Sequence, residues 1–510
     1  LTIGRVGTSC SGRHVPMLAG MPNLLLLWTD QQRYDTLAAA GQTVLRLPHL
    51  NRLAESATVF DRAYCTQPVC TPSRGSLVTG LYPHAHGATT NNVHLRRDVK
   101  TFAEWLNEWQ TGDYATGYIG KWHLGDEIYP QHGFDEWQAT DDGYVAHYSP
   151  ERDRDDRSPY HHYLYDEGYQ PGEHNTFHRN WQCMLPERDS KPRWQADRAI
   201  DFINRHQGRP WVLSVNTLEP HHPLPAARNG AYTPDELPVA GSFCKTPDDV
   251  PLHVRMKQRH WSQGFEHFHF GSERSWRQAM AHYWGLCEMV DDHYGRILQA
   301  LADSGQWDDT LIIFTSDHGE MMGCHGLFGK QVAFDYSSRV PLIIKWPGQQ
   351  EAQRVEQPVS LADLTPTICE VCGGQVPEGL HGQSLAPIGR GEMVPARDIG
   401  IVWHVRPDAA PPAWQNEADV PEDLRDLASP AALAAASVYT YRAIVTPQLR
   451  KLWVTSLGEW QLYDLAADPD ELHNLASERP DEVAALRQRL VDWLGSVDDP
   501  WEVPALSESC

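Results

Sequence analysis

Long apolar runs are missing from this chain. Stretches such as Leu24 to Trp28 and Leu311 to Phe314 fall far short of the roughly 20 residues that cross a bilayer, so no transmembrane helix and no membrane partner is expected. Positive charge is also scarce. Lys and Arg number 43 against 67 for Asp and Glu, a formal net charge of −24, which argues against nucleic acid or an anionic membrane as the main partner. An anionic substrate would need local positive charge or a metal to overcome that field. The ten cysteines in 510 residues have no dense, regular spacing, which excludes a disulfide scaffold. Cys369-x-x-Cys372 has no second pair to complete a zinc site and reads as buried or incidental. The first twenty residues lack an apolar signal core, and Met21 is the candidate natural start. A reducing compartment is the default, the cytoplasm favoured with the periplasm as the alternative.

The length suits one large domain plus a smaller one, or two of similar size. Residues 23 to 29 form a near-continuous apolar run, the pattern of a strand buried on both faces of a parallel sheet, and Asp30 and Gln31 follow at once. Asp30 alone would read equally well as a helix N-cap. The pattern recurs, however. Runs at 114–120, 211–217 and 311–316 end in Lys121-Trp122-His123, in Glu219-Pro220-His221-His222-Pro223 and in Asp317-His318-Gly319-Glu320. In open α/β sheets functional groups collect beyond the carboxyl ends of strands, so this repetition points to one site.

Helical periods at Leu47 to Ser56, Thr101 to Glu108, Trp194 to Asn204 and Trp276 to Ser304 alternate with those strands. The fold class is therefore α/β: a large, mostly parallel mixed sheet sandwiched by helices. A further strand at 340–346 and a helix at 361–372 close it, giving a main domain over 21–395. Residues 141–190 read as an insertion over the site or a solvated loop, with Glu151 to Arg157 a solvated run of mixed charge. His253, His260, His267 and His269 fit no tight ligand spacing and read as surface or lid. An irregular stretch covers about 405–437, followed by short strands at 439–446, 451–455 and 461–464 and a helix over 480–495. These predict a smaller C-terminal α+β domain over 396–510, built on an antiparallel sheet.

Pro68-Val-Cys70-Thr-Pro-Ser-Arg74-Gly-Ser-Leu-Val-Thr-Gly80 reads as a nucleophile at a helix start. Pro72 suits the first helical position, and Cys70 would face the positive end of the helix dipole, with Arg74 about one turn on. Asp30, Gln31, Asp317 and His318 offer hard ligands, so calcium or magnesium is expected ahead of zinc. Arg74, Lys121, His123, His221 and Lys330 add cations and acid/base groups. A metal and several cations around a nucleophile suit phosphoryl or sulfuryl transfer. A plain cysteine is an odd nucleophile for such a centre, because its soft thiolate would compete for the metal.

Cys70-Thr-Pro-Ser-Arg74 with Leu77-Val78-Thr79-Gly80 resembles the signature of the formylglycine-dependent sulfatases of the alkaline phosphatase superfamily, in which this cysteine is oxidised to formylglycine. Tyr114 to His123 resembles a second signature, with Asp113 where a glycine is usual, a change that a turn tolerates. The resemblance continues through Thr29 to Arg33, Ser316 to Glu320, Gly329-Lys330, and Tyr463-Asp464-Leu465 to Asn474-Leu475, and so spans about 23–495. It implies a calcium ion held by Asp30, Gln31, Asp317, His318 and the modified Cys70. Many relatives carry Asp in place of Gln31 and Asn in place of His318, so metal presence is implied more firmly than metal identity. It further implies that a hydroxyl of the aldehyde hydrate attacks sulfur, that His221 and Lys330 protonate or neutralise the leaving oxygen, that Arg74 and Lys121 orient the hydrate and the sulfuryl oxygens, and that His123 takes a proton so that sulfate is expelled. His222 has a structural or substrate-pocket place. A formylglycine-generating enzyme is the implied partner in maturation.

A sulfate ester hydrolase is the leading expectation. The alternatives are a phosphonate monoester or phosphodiester hydrolase, which Asp308 to Glu320 also resembles, and a binding protein that has kept the fold without the chemistry. Trp181, Trp194, Trp261 and Trp414 would suit stacking on sugar rings or packing in the core, and a small-molecule or oligosaccharide sulfate is expected ahead of a simple aryl sulfate. The oligomeric state is left open.

Overall fold

The computed structural model describes residues 20–110, 113–141, 143–265, 268–406 and 408–506. The leader reading and His267 therefore lie outside the described residues. An eight-stranded sheet forms the centre: β1 (Asn23–Asp30), β2 (Thr58–Phe60), β3 (Ala115–Gly120), β4 (Glu136–Ala139), β5 (Trp211–Pro220), β6 (Thr310–Ser316), β7 (Leu342–Lys345) and β8 (Gln353–Val355), in the order β8-β2-β7-β6-β1-β5-β3-β4. Only β7 runs against its neighbours.

All of β1 is buried, and its alternate residues serve two cores. Leu25 and Leu27 pack with Ala199 and Ile203 of helix Lys191–Arg205 and with Tyr294 and Ile297 of helix Glu273–Asp303. Leu24, Leu26 and Trp28 face Leu77, Val78, Phe102 and Leu106 on the other side. Each such leucine contributes about 1.5–3 kcal/mol by leaving water, which is why the run carries no polar alternation.

Register then fixes the site. Thr29 lies beside Ser316 on β6, so Asp30 and Asp317 emerge side by side. Against β5 the pairing slips after Thr29, from Thr217 to Pro220, and the extra residues carry His221 further out over the same edge.

Several expectations shift. The run at 340–346 is split at Pro341, which cannot donate a ladder hydrogen bond: Arg339–Val340 joins a small three-stranded sheet while β7 stays in the large one. Residues 141–190 contain helices Pro159–Asp166 and Arg179–Gln182, and Pro430–Ala436 is helical within the stretch expected to be irregular. The C-terminal meander gains a fourth strand. It runs Ile399–Trp403, Tyr441–Val445, Arg450–Thr455, Trp460–Asp464, antiparallel throughout. One face meets Met321, Leu327 and Phe334; the other meets helix Pro480–Ser496, which runs one residue past Gly495.

Lys451 clasps this sheet to the rest. Its ammonium is buried and donates to Glu471 at 2.8 Å, to Asp335, and to the Ala333 carbonyl at 3.0 Å, tying down the segment that follows Lys330. Among the described residues no disulfide forms, Cys369 and Cys372 being buried thiols, and no helix is long and apolar enough to cross a membrane.

Candidate active site and metal centre

The helix that carries Cys70 runs Cys70–Thr79, so Pro72 occupies its third position rather than its first. The physical reason is unchanged. The first N–H to reach back into the helix is that of Ser73, to the Val69 carbonyl, and Pro72 therefore lacks only a donor that would have had no partner. Every residue of this helix is buried, and Thr71 N–H is satisfied by Asn91 Oδ1 at 3.1 Å.

Arg74 holds the centre. Its Nε donates to Asp317 Oδ2 at 2.8 Å, one terminal nitrogen to Asp30 Oδ2 at 2.9 Å, and the other to Asn216 Oδ1 at 2.8 Å and the Lys121 carbonyl at 2.9 Å. The guanidinium also lies 4.8 Å over the Trp28 ring. With these contacts Arg74 braces two carboxylates rather than reaching outward. Lys121 Nζ adds a 2.7 Å pair to Asp30 Oδ2. Burial pushes Asp30's carboxyl up, but the cations Lys121 and Arg74 outweigh it and hold the group well below the usual carboxylate range.

Each carboxylate thus gives one oxygen to Arg74 and turns the other inward. Asp30 Oδ1 is 3.7 Å from Cys70 Sγ and 3.6 Å from His318 Nε2; Asp317 Oδ1 is 3.5 Å from His318 Nε2, which is 3.3 Å from the sulfur. Ligand atoms of Asp30, Cys70, Asp317 and His318 all lie within 4.8 Å of one another. His318 Nδ1 donates to the Gly319 carbonyl at 2.9 Å, which leaves Nε2 bare toward the cluster, the tautomer a metal ligand requires. Against the opposing effect of burial, Asp317 raises the proton affinity of this imidazole, and a cation would take that proton's place. The donors fit a divalent ion. Burial and Asp30 push the Cys70 thiol up, but Lys121, Lys330 and His318 bring it below its ordinary value.

Gln31 stands beside this cluster with its carboxamide committed elsewhere. Its Nε2 donates to Glu320 Oε2 and its Oε1 accepts from Lys330 Nζ, while its backbone N–H meets Asp317 Oδ1 at 3.1 Å. Glu320 is anchored by the N–H groups of Met322 and Gly329, so the chain Glu320–Gln31–Lys330 fixes the lysine at the rim.

Lys121 and His123 follow a turn that only glycine permits. Gly120 has φ +112°, and a Cβ there would lie 1.8 Å from the Asn216 carbonyl oxygen. Glu127 accepts the N–H groups of Trp122 and His123, both at 2.6 Å. Burial, with Asp141 near, pushes that carboxyl up to about 8. His123 stacks on Tyr144 at 4.2 Å between ring centres and contacts Asn92 Oδ1 through Nε2 at 3.0 Å; its buried Nδ1 has no partner among the described residues. Burial, then Lys121 and Arg74, hold it well below the ordinary imidazole value. His221 donates from Nδ1 to the His222 carbonyl at 2.6 Å, and burial, then Lys330 and His222, keep it neutral. The His222 ring lies edge-on to Phe265 at 4.8 Å.

The structure therefore gathers Asp30, Cys70, Arg74, Lys121, Asp317 and His318 in one buried cluster, with His123, His221, Gln31 and Lys330 around it. Sequence reasoning missed Asn216, although a polar residue inside the apolar run of β5 was a signal, and it missed Asn92, Glu127, Tyr144 and Glu320 as supports. His253 is buried and stacked on Tyr439 at 3.6 Å, away from the cluster and not at the surface.

Residues 22–374 match the family described as Sulfatase. An uncharacterized sulfatase, YidJ, of Escherichia coli (strain K12) is 29% identical over 94% of this chain and 88% of its own length. An N-acetylglucosamine-6-O-sulfatase of Bacteroides thetaiotaomicron is 26% identical over 89% and 82%. The crystal structure of a phosphonate monoester hydrolase of Agrobacterium radiobacter superposes with a TM-score of 0.73, at 24% identity, over 93% and 96% of the two chains. With its match across more than two thirds of the sequence, and with sulfatases among the relatives that cover nearly all of it, this chain belongs to the sulfatase family of sulfuric ester hydrolases.

Proposed function

We propose that this enzyme hydrolyses a sulfate ester of a carbohydrate, with residue 70 acting after oxidation of its thiol to formylglycine. The convergence of Asp30, Asp317, His318 and Cys70 at the buried start of a helix, backed by Arg74 and Lys121, is the observation that carries this reading. Formylglycine supplies an oxygen nucleophile in place of sulfur, and a divalent ion, calcium in this reading, would be held by those four residues and neutralise charge on the sulfuryl oxygens. Gln31 positions Lys330 in this account.

His123 is the base. Its Nε2–H is committed to Asn92, so Nδ1, which has no partner among the described residues, is free to accept a proton. His221 and Lys330 serve the leaving oxygen: Lys330 brings an ammonium, and an anionic ester entering the site supplies the charge that raises the proton affinity of His221. Lys121 orients the sulfuryl group, while Arg74 holds the carboxylates in place. The sugar substrate is supported by the N-acetylglucosamine-6-O-sulfatase relative. With this reading goes a division into units 21–395 and 396–510, supported by the start of the four-stranded sheet at Ile399, and maturation by a formylglycine-generating enzyme.

The test is hydrolysis of paired nitrophenyl sulfate and nitrophenyl phenylphosphonate. Preference for the sulfate is expected, and a phosphonate preferred by orders of magnitude would move the enzyme to the other reading.

A further inference from the structure

Gln67 precedes Cys70 on the segment that leads into its helix, and its side chain is fully buried. Its Nε2 donates to the Thr89 carbonyl at 2.9 Å. Thr89 opens the loop whose Asn91 accepts the Thr71 N–H and whose Asn92 accepts Nε2–H of His123. Asn92 is itself exposed and left-handed, at φ +67°, so little packing encloses it and its place depends on how the loop is tied below.

The other end of the Gln67 carboxamide leads away from the site. Its Oε1 is 2.9 Å from His404 Nδ1, and His404 Nε2 is 2.9 Å from a terminal nitrogen of Arg442. A guanidinium can only donate. His404 Nε2 therefore accepts, Nδ1 carries the proton, and the Gln67 carboxamide turns its oxygen to His404 and its nitrogen to Thr89. Arg442 is fixed in turn by Asp499, at 2.7 Å from Nε and 3.2 Å from the nitrogen that reaches His404, and by the carbonyls of Trp403 and Tyr441. Burial, then Arg442, hold the His404 imidazole far below its ordinary value, so it stays neutral and the order of donors does not reverse. His404 follows strand Ile399–Trp403, where Val402 N–H meets the Thr66 carbonyl at 2.7 Å, and Asp499 lies beyond the last helix, Pro480–Ser496. One polarised series of hydrogen bonds thus runs from the C-terminal residues to the Asn92 loop.

We infer that Gln67 and His404 are positioning residues for the base: the series Asp499–Arg442–His404–Gln67–Thr89 holds the Asn92 loop in the place where it keeps the proton of His123 on Nε2. This rests on the reading of His123 as the base, and it gives the C-terminal sheet a part in turnover beyond its packing.

The test compares Gln67→Leu, His404→Phe and the double variant with His404→Gln, whose carboxamide can donate to Gln67 and accept from Arg442. On nitrophenyl sulfate each disruptive single variant should lower kcat about five- to ten-fold, with KM held within about two-fold. Both cut the same series, so the double variant should stay within about two-fold of the more damaged single one, and His404→Gln should restore kcat to within about two-fold. Losses that multiply in the double variant overturn the proposal, because they would mark two independent faults. An unchanged kcat in Gln67→Leu and His404→Phe, beside a lowered kcat in Asn92→Ala, overturns it as well; an unchanged kcat in Asn92→Ala too would instead sink the reading of His123. Hydrogen exchange at the amides of residues 89–92 needs no turnover and serves if Gln67→Leu fails to fold or if nitrophenyl sulfate is not hydrolysed at all, an outcome that counts against the sulfatase reading. Exchange there should quicken about five-fold or more in His404→Phe, whose side chain lies outside the loop, and unaltered exchange overturns the proposal.

Discussion

Asn92 and His123 face each other with left-handed backbones, φ +67° and +60°, joined by a 3.0 Å hydrogen bond from Nε2–H to the amide oxygen. Neither is glycine, so each conformation costs about 1 kcal/mol or more and persists because the surroundings enforce it. The bond fixes the tautomer and leaves Nδ1 bare. Asn92→Ala should therefore lower kcat by about ten- to a hundred-fold with little change in KM. Asn92→Asp, which sets a carboxylate against the ring, should move the acid limb of the kcat profile to higher pH. Steady-state kinetics across pH checks both, and an unmoved limb in Asn92→Asp would remove the assigned role.

Metal removal should act on stability and turnover together. Stripping the protein with a chelator should abolish turnover and lower Tm, and calcium added at about a hundred times its Kd should restore about 2.7 kcal/mol. Asp317→Asn, which weakens both the ligand and the Arg74 pair, should blunt that recovery. A Tm indifferent to chelator in the unmodified protein contradicts a metal at this cluster.

Lys451 supports a second prediction about stability. Lys451→Met leaves Asp335 and Glu471 buried without their cation and should cost about 3–5 kcal/mol, measured by denaturant unfolding. A loss under 1 kcal/mol would mean that the clasp does not hold the C-terminal sheet to the segment after Lys330.

Acid sensitivity follows from buried neutral histidines. Burial lowers His86 to about 3 and His325 to about 4, below the ordinary value that both regain on unfolding. A depressed folded pKa means that the unfolded chain binds the extra proton. The stability contributed by these groups is complete above about pH 6.5 and is lost as the pH falls toward 4, with a slope approaching about 1.4 kcal/mol per unit for each histidine. Urea midpoints from pH 7 to pH 4 should fall accordingly; midpoints that rise over that range contradict it.

Much of this site was legible because parallel strands place their last residues on one edge. The apolar runs ending at Asp30, Lys121, His221 and Asp317 mark that edge in the sequence itself, and Cys70 marks the helix that meets it. Supports were harder to read. Asn92, Tyr144 and Glu127 lie on loops whose positions depend on tertiary packing and carry no period. Arg74 is expected to orient the hydrate and the sulfuryl oxygens because its spacing from Cys70 is visible in sequence, whereas its two carboxylate partners, far away in the chain, are not. Pro341 was visible, but its division of one apolar run between two sheets depended on which neighbours needed its missing donor. Ile399–Trp403 is a strand only because Tyr441–Val445 offers it an edge.

The most direct test is the mass of the peptide that contains residue 70, measured beside sulfate release from nitrophenyl sulfate across preparations with differing degrees of oxidation. The account predicts a species lighter than the cysteine peptide by about 18 Da, and specific activity that rises in proportion to its fraction and passes through zero. Full activity in a preparation whose residue 70 is entirely unmodified thiol would contradict it.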